Sequence, residues 1–181
     1  MHAQRNTDSI QLSLGLFESK VLRQILMFIR NEYRKQPSEL DRETAGAWYN
    51  VGGAMHMTAE EQVDWLQQMH EFKSARVDLM EKWIKSLETA QPDNPAELTL
   101  PLAAIPDFLT VINDHRLLTA ARNEIGQAEM DVRTMADFTA LPPLQQTALT
   151  EIHFLAGLME HLLYLLSLDP SAEVAGEEGQ P

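Results

Sequence analysis

Apolar residues recur along this chain in two rhythms, and the change of rhythm marks out its elements. Ile10, Leu12 and Leu14 alternate with polar neighbours, and so do Leu98, Leu100 and Leu102. A period of two predicts a short strand at each place, near residues 10–14 and 98–102. The two can pair as a small two-stranded ribbon, with Pro101, which has no amide to donate, confining the second strand to an edge. Elsewhere the helical period dominates. Leu14, Phe17, Val21, Ile25 and Phe28 form one stripe, with Leu22, Leu26, Ile29 and Tyr33 beside it, so a broad-faced central helix is expected over about residues 15–35. A second long stripe, Trp65, Met69, Phe72, Arg76, Leu79, Trp83 and Leu87, predicts a helix over about residues 58–90.

Punctuation divides the rest. Pro37 breaks the chain, and "SELD" (Ser38 to Asp41) resembles a capping box opening a shorter helix that reaches about Val51, where Gly52 and Gly53 stop it. "TAEE" is the clearest local signal: Thr58 can cap the amide of Glu61 while Glu61 reaches back. Pro106 suits the first turn of a helix that Gly126 closes, and a weaker helical stretch covers about residues 129–138. The last helix, about residues 144–168, is apolar almost all round and is expected at the centre. The prediction is a mainly α fold: a single-domain bundle of about six helices over residues 9–168, with a flexible tail at residues 1–8. Residues 169–181 are acidic, lack large apolar side chains and are expected to be disordered.

Composition narrows the function classes. The 181 residues suit one domain, and a chain of that size buries enough surface to need no disulfide or metal. With no cysteine there are no thiolate zinc sites or cysteine nucleophiles, and a reducing compartment fits. The formal charge of −13, from 27 acidic and 14 basic side chains, repels phosphate backbones and anionic lipid, so no nucleic-acid or membrane-surface partner is expected. The start of the chain lacks the apolar run of a signal peptide. The most apolar stretch, Ala148 to Leu168, carries Glu151, His153, Glu160 and His161 and is not read as membrane-spanning, which leaves a cytoplasmic protein as the expectation.

The chain has no glycine-rich phosphate loop and no serine nucleophile elbow. It also lacks the Glu-x-x-His spacing that a di-iron bundle needs, so no metal or other cofactor is expected. Two constellations remain. In the last helix, His153, Gly157, Glu160 and Tyr164 share a narrow arc; His153 and Glu160 could work as an acid–base pair, but the arc reads more simply as a solvated face. In "FLTVINDHRLLTAARNEIG" (Phe108 to Gly126), Ile105, Phe108, Leu109 and Ile112 share a face that Arg116 continues one turn later, with Asn113 placed to orient it and His115 at the edge. A buried guanidinium demands a carboxylate, and the candidates are Glu18 and Glu151. Asn113 and Arg116 are then either a polar staple that sets helix register, the preferred reading, or a site for an anion or a peptide terminus. Asp114 is expected to face water.

That same segment, with its Asn-Asp-x-Arg-Leu centre (Asn113, Asp114, Arg116, Leu117), resembles the signature helix of the domain of unknown function family 2017, a family of bacterial helical proteins. "LGLFESKVLRQIL", with Glu18 and Leu22-Arg23, is similar to that family's early helix, and the closing apolar helix agrees in position; the likeness spans about Leu12 to Leu168. The family has no established activity. Many members are encoded near an adaptor of ATP-dependent proteases, and the resemblance therefore implies a regulatory or adaptor role. The expectation is a non-catalytic interaction or regulatory protein with a protein partner. The alternative is a small-molecule or peptide-terminus binder using Asn113 and Arg116, and an enzyme using His153 and Glu160 stands third.

Overall fold

The computed structural model describes residues 1–49, 57–132 and 134–168. It is a mainly α fold with one small antiparallel sheet. In chain order the elements are strands β1 (His2–Arg5) and β2 (Ser9–Leu14), helix α1 (Leu16–Tyr33), a 3-10 turn at Pro37–Glu39, helices α2 (Arg42–Tyr49), α3 (Ala59–Ser74) and α4 (Val77–Leu87), and strand β3 (Ala96–Pro101). A second 3-10 turn at Leu102–Ala104 leads into α5 (Ile105–Arg122), α6 (Gln127–Met130), α7 (Met135–Ala140) and α8 (Pro143–Ser167).

The predicted ribbon forms. β2 and β3 pair antiparallel with Ile10 opposite Leu100, Leu12 opposite Leu98 and Leu14 opposite Ala96. The period of two thus puts all six side chains on one face, where each is at most 1% exposed. On the other face Gln11 donates to Glu97 at 2.9 Å. Pro101 ends β3 at the sheet's edge, as its missing amide requires.

The flexible tail expected at residues 1–8 is instead largely a third strand. β1 pairs with β2, Arg5 opposite Ile10, and closes the sheet in the order β1-β2-β3. Edge strands bury little, and this one carries only Ala3 against the core, so its sequence has almost no apolar signal. Its anchor is polar: the Arg5 guanidinium donates to the carbonyls of Leu165 at 2.9 Å and Leu166 at 2.8 Å, at the C-terminal end of α8. There a cation meets both the unpaired carbonyls and the negative end of the helix dipole.

Other boundaries move for local reasons. α2 is capped by Asp41, which accepts from the Thr44 amide at 2.8 Å, whereas Ser38 of the expected capping box falls inside the first 3-10 turn. The glycine stop at Gly52 and Gly53 and the tail at residues 169–181 lie outside the described residues. Thr58 caps α3 as expected, accepting from the Glu61 amide at 3.3 Å while Glu61 accepts from the Thr58 amide at 2.7 Å. The single helix expected over residues 58–90 breaks at Ala75 and Arg76. There the Arg76 amide turns back to the Lys73 carbonyl, and its side chain grips Asp107 at 2.8 Å. α5 ends at Arg122 rather than at Gly126; Glu124 takes the left-handed backbone conformation at φ 53°, and Gly126 caps α6 instead. The weaker stretch near 129–138 is two short helices, α6 and α7.

The core lies between the apolar sheet face and α1, α4, α5 and α8. α8 is the one helix among the described residues long and apolar enough to cross a membrane. Here Leu149, Ile152, Leu155, Leu158 and Leu162 turn into the core, each at most 2% exposed. Because Arg5 holds the end of α8 to β1, Arg5→Ala is expected to lower stability by roughly 1.5–3 kcal/mol, the worth of charge-assisted hydrogen bonds. Urea denaturation should show a lower midpoint at unchanged slope.

Candidate functional site

α5 is enclosed by α1, α2 and α8, so the arc it buries is wide. With each residue advancing about 100°, the centre of that arc falls near His115, between Phe108 and Val111, with Ile105 and Ile112 toward one edge and Leu118 toward the other. Asp114 stands beside Val111 and Leu118, and Arg116 falls off the opposite edge. The expected division of labour is therefore reversed: Asp114 and His115 are each 8% exposed, whereas Asn113 and Arg116 are only half-buried. The expectation takes Ile105, Phe108, Leu109 and Ile112 as the inner face, centred between Ile105 and Ile112, and leaves Val111 and Leu118 out of it.

Asp114 is the meeting point of four helices. Its Oδ2 takes the Lys73 ammonium of α3 and the Tyr33 hydroxyl of α1, the latter at 2.5 Å. Its backbone carbonyl accepts from Trp48 Nε1 of α2 at 2.9 Å. Lys73 is 4% exposed and its Nζ lies 5.0 Å from the Trp48 ring, 5.2 Å from Tyr33 and 5.8 Å from Tyr49, within reach of their negative faces. Burial holds the Lys73 ammonium below its ordinary range, and the Asp114 carboxylate pulls it back. Burial, together with the same carboxylate, pushes the Tyr49 hydroxyl up to about 12. It drives Tyr33 well above its usual range, so Tyr33 remains a donor. Lys73 continues the stripe of Trp65 and Met69 at intervals of four. A cation on an apolar stripe was the signal that singled out Arg116, and it applies to Lys73 equally.

A second pair joins α5 to α8. His115 Nε2 meets Glu151 Oε1 at close range, and Thr119 donates to the same oxygen at 3.2 Å. His115 Nδ1 is buried without a partner, and the ring packs edge-on against Phe28. Burial pushes the Glu151 carboxyl up, but the hydrogen bonds from His115 and Thr119 and the charge of His115 outweigh it, and the group ends below its ordinary 4.5.

The expected partners of Arg116 are thus engaged elsewhere. Glu151 belongs to His115. Glu18 accepts from the Gly15 amide at 2.9 Å and from the Met1 amino group at 2.7 Å, an N-terminal capping role on α1. Among the described residues Arg116 meets no carboxylate; it lies along α8 with Nη1 3.4 Å from the Met159 sulfur. No described side-chain hydrogen bond joins Asn113 to it. His153, Gly157 and Glu160 all stand exposed, and Tyr164 is 60% exposed, so that arc of α8 is a solvated face.

What the structure does bring together is Glu18 and Glu151, on the walls of one groove. It occupies about 700 Å³ between the start of α1, α7 and the first half of α8, and its lining is chiefly Phe17, Val21, Phe138 and Phe154. Phe17, at 79% exposed, stands at its rim. Leu144 and Met135, each 76% exposed, lie on the same two helices, α8 and α7. Among the described residues no three His, Asp or Glu side chains cluster as a metal site would require.

The chain matches no family model, no curated protein and no solved structure.

Two predictions follow from the paired interior. Asp114→Ala strands the Lys73 ammonium and should cost roughly 3–5 kcal/mol, whereas Lys73→Met with Asp114→Leu should recover much of that loss. Denaturation of the two singles and the double separates the terms; an Asp114→Ala effect no larger than that of a surface change, about 0.5 kcal/mol, would show that the pair holds nothing. Glu151, with a folded pKa below its unfolded value, contributes stability above about pH 4.5 that fades as pH falls through the folded value. Glu151→Gln should therefore be less stable than the parent at neutral pH, and the gap should narrow in melts recorded progressively below pH 4.5.

Proposed function

We propose that this protein is a non-catalytic interaction module that works in the cytoplasm, docking a partner protein in the groove between α1, α7 and α8. The observation that carries the reading is the groove itself. Three phenylalanines and a valine line it in contact with water, although the chain has a well-filled core elsewhere. Apolar side chains gathered in an open groove offer a partner surface that it can take out of water. The interior polar clusters are spent on joining helices: Asp114 holds Lys73, Tyr33 and Trp48, and Glu151 holds His115 and Thr119. Membership of the domain of unknown function family 2017, suggested by Asn113, Asp114, Arg116 and Leu117 and by the opening helix, would place this role near regulated proteolysis, as an adaptor or a regulator of one.

The test is site-directed photo-crosslinking in the native cell. A photoreactive phenylalanine analogue at position 17 should give a discrete protein adduct, and the adduct should vanish when exposed Thr150 in the groove is changed to Arg. The same analogue at Phe72, 62% exposed on α3 and outside the groove, should give none. Equal labelling from both positions, or none from position 17, would remove the groove as the docking face.

A further inference from the structure

The groove has a sign as well as a shape. Its lining includes two carboxylates, Glu18 and Glu151, and no lysine, arginine or histidine. Neither carboxylate is sealed: the Glu18 and Glu151 side chains are 28% and 29% exposed, although Glu18 is already paired with the Met1 ammonium at 2.7 Å. Glu151 concentrates its described hydrogen bonds on Oε1, which serves both His115 and Thr119, and leaves Oε2 free of any described partner. An apolar trough edged by two acids, on a chain of net charge −13, is complementary to apolar side chains carried beside cations.

Resting on the docking reading above, we infer that the occupant is a basic amphipathic segment of the partner protein. Its large apolar side chains seat between Phe17, Phe138 and Phe154, and a flanking Lys or Arg reaches Glu151 Oε2. Other occupants fit less well. A small ligand needs a pocket that encloses most of its surface, and a rim residue as exposed as Phe17 provides no such enclosure. A second copy would set −13 against −13. The chain's own last thirteen residues, 169–181, carry four acidic side chains and no Lys or Arg, so their charge has the groove's own sign and is repelled.

The experiment uses the full chain and two fluorescein-labelled helical peptides with the same apolar positions, spaced i, i+4, i+7. One carries Lys at the remaining positions and the other Glu. Anisotropy titration should show the Lys peptide binding at least about tenfold more tightly than the Glu peptide. Its affinity should fall as ionic strength rises from about 0.01 to about 0.15 M, which shortens the Debye length from about 30 Å to about 8 Å. Phe17→Ser and Thr150→Arg, both at exposed positions that leave the core untouched, should each weaken the Lys peptide about fivefold or more, and Glu151→Gln should weaken it and flatten the salt dependence. Asp78→Asn, exposed on α4 away from the groove, should change nothing.

Equal binding of the two peptides, or silence of both Phe17→Ser and Thr150→Arg, would overturn the inference. So would a concentration-dependent dimer, detected by sedimentation, that Phe17→Ser dissolves. The two levels fail separately. A crosslink from position 17 to an acidic or uncharged segment keeps the groove as a docking face and removes the basic occupant, whereas no crosslink at all removes the docking face itself.

Discussion

A lysine ammonium held inside the protein by one carboxylate and three aromatic rings is the constraint from which the helical packing takes its register. The buried side chains of α3 are His70 and Lys73, while its apolar residues Trp65, Leu66 and Met69 are only partly buried against the core, so apolar packing alone fixes this helix loosely. Lys73 adds the tighter constraint. Its charge cannot stay in the interior unless Asp114 is within reach, and Asp114 reaches it only if α5 is turned to bring that side chain inward. Tyr33 and Trp48 then converge on the same residue, one on its carboxylate and one on its carbonyl, which ties α1 and α2 to the point where α3 meets α5. Buried ion pairs add little net stability compared with well-packed apolar residues, but they penalise every arrangement that separates the partners. The pair therefore specifies one packing more than it strengthens it.

Once α5 is fixed at Asp114, the next residue presents His115 to α8. The contact with Glu151 sets the rotation of α8, and that rotation decides what the first half of α8 shows to solvent. Ile152 and Leu155 go into the core, while Thr147, Thr150, Glu151 and Phe154 line the groove. Opposite them, α7 buries no side chain completely. It is held to α8 largely through Gln146, which donates to the carbonyls of Leu141 at 2.7 Å and Thr139 at 3.4 Å. One wall is thus part of the core framework, and the facing wall, with Phe138, is its least anchored neighbour. Few buried contacts place an element at the low end of local stability, a suitable property for a wall that would fit itself to the proposed segment.

Much of the fold was legible in the residues because its period is local. Alternating Ile10, Leu12 and Leu14 found β2, the "TAEE" box found the start of α3, and the apolar run before Leu168 found α8. β1 was hidden because an edge strand needs hydrogen-bonding backbone more than apolar side chains, and its chief tether, Arg5, acts across 160 residues of chain. The break between α3 and α4 was hidden because neither Gly nor Pro makes it; Arg76 does, through Asp107 on another helix. Within α5 the demand for a buried charge partner was sound but was assigned to the wrong residue. A wheel drawn from the first turns alone centres between Ile105 and Ile112, and neighbours on three sides move that centre to His115. The groove was not legible at all, because Phe17, Phe138 and Phe154 come from three helices whose meeting is a tertiary fact. Glu18 and Glu151 were singled out as partners for Arg116, and they stand together on that groove's walls instead.

An exposed apolar groove is a liability as well as a site, and the charge of the chain bears on both. Phe17, Met135 and Leu144 together would favour association of any two copies that met face to face. At −13 per chain, two copies repel before those faces approach, over distances comparable to the Debye length in cellular salt, about 8 Å. The same field draws in a segment of opposite sign. Apolar contact supplies affinity without choosing a partner, and the acidic surround chooses the partner while contributing little affinity of its own. On this account Glu151 has a double use: it completes a structural contact through Oε1 and leaves Oε2 at the groove, whereas both oxygens of Glu18 are taken up by the Gly15 amide and the Met1 ammonium. The staple between α5 and α8 is therefore also what would give the proposed docking surface its sign.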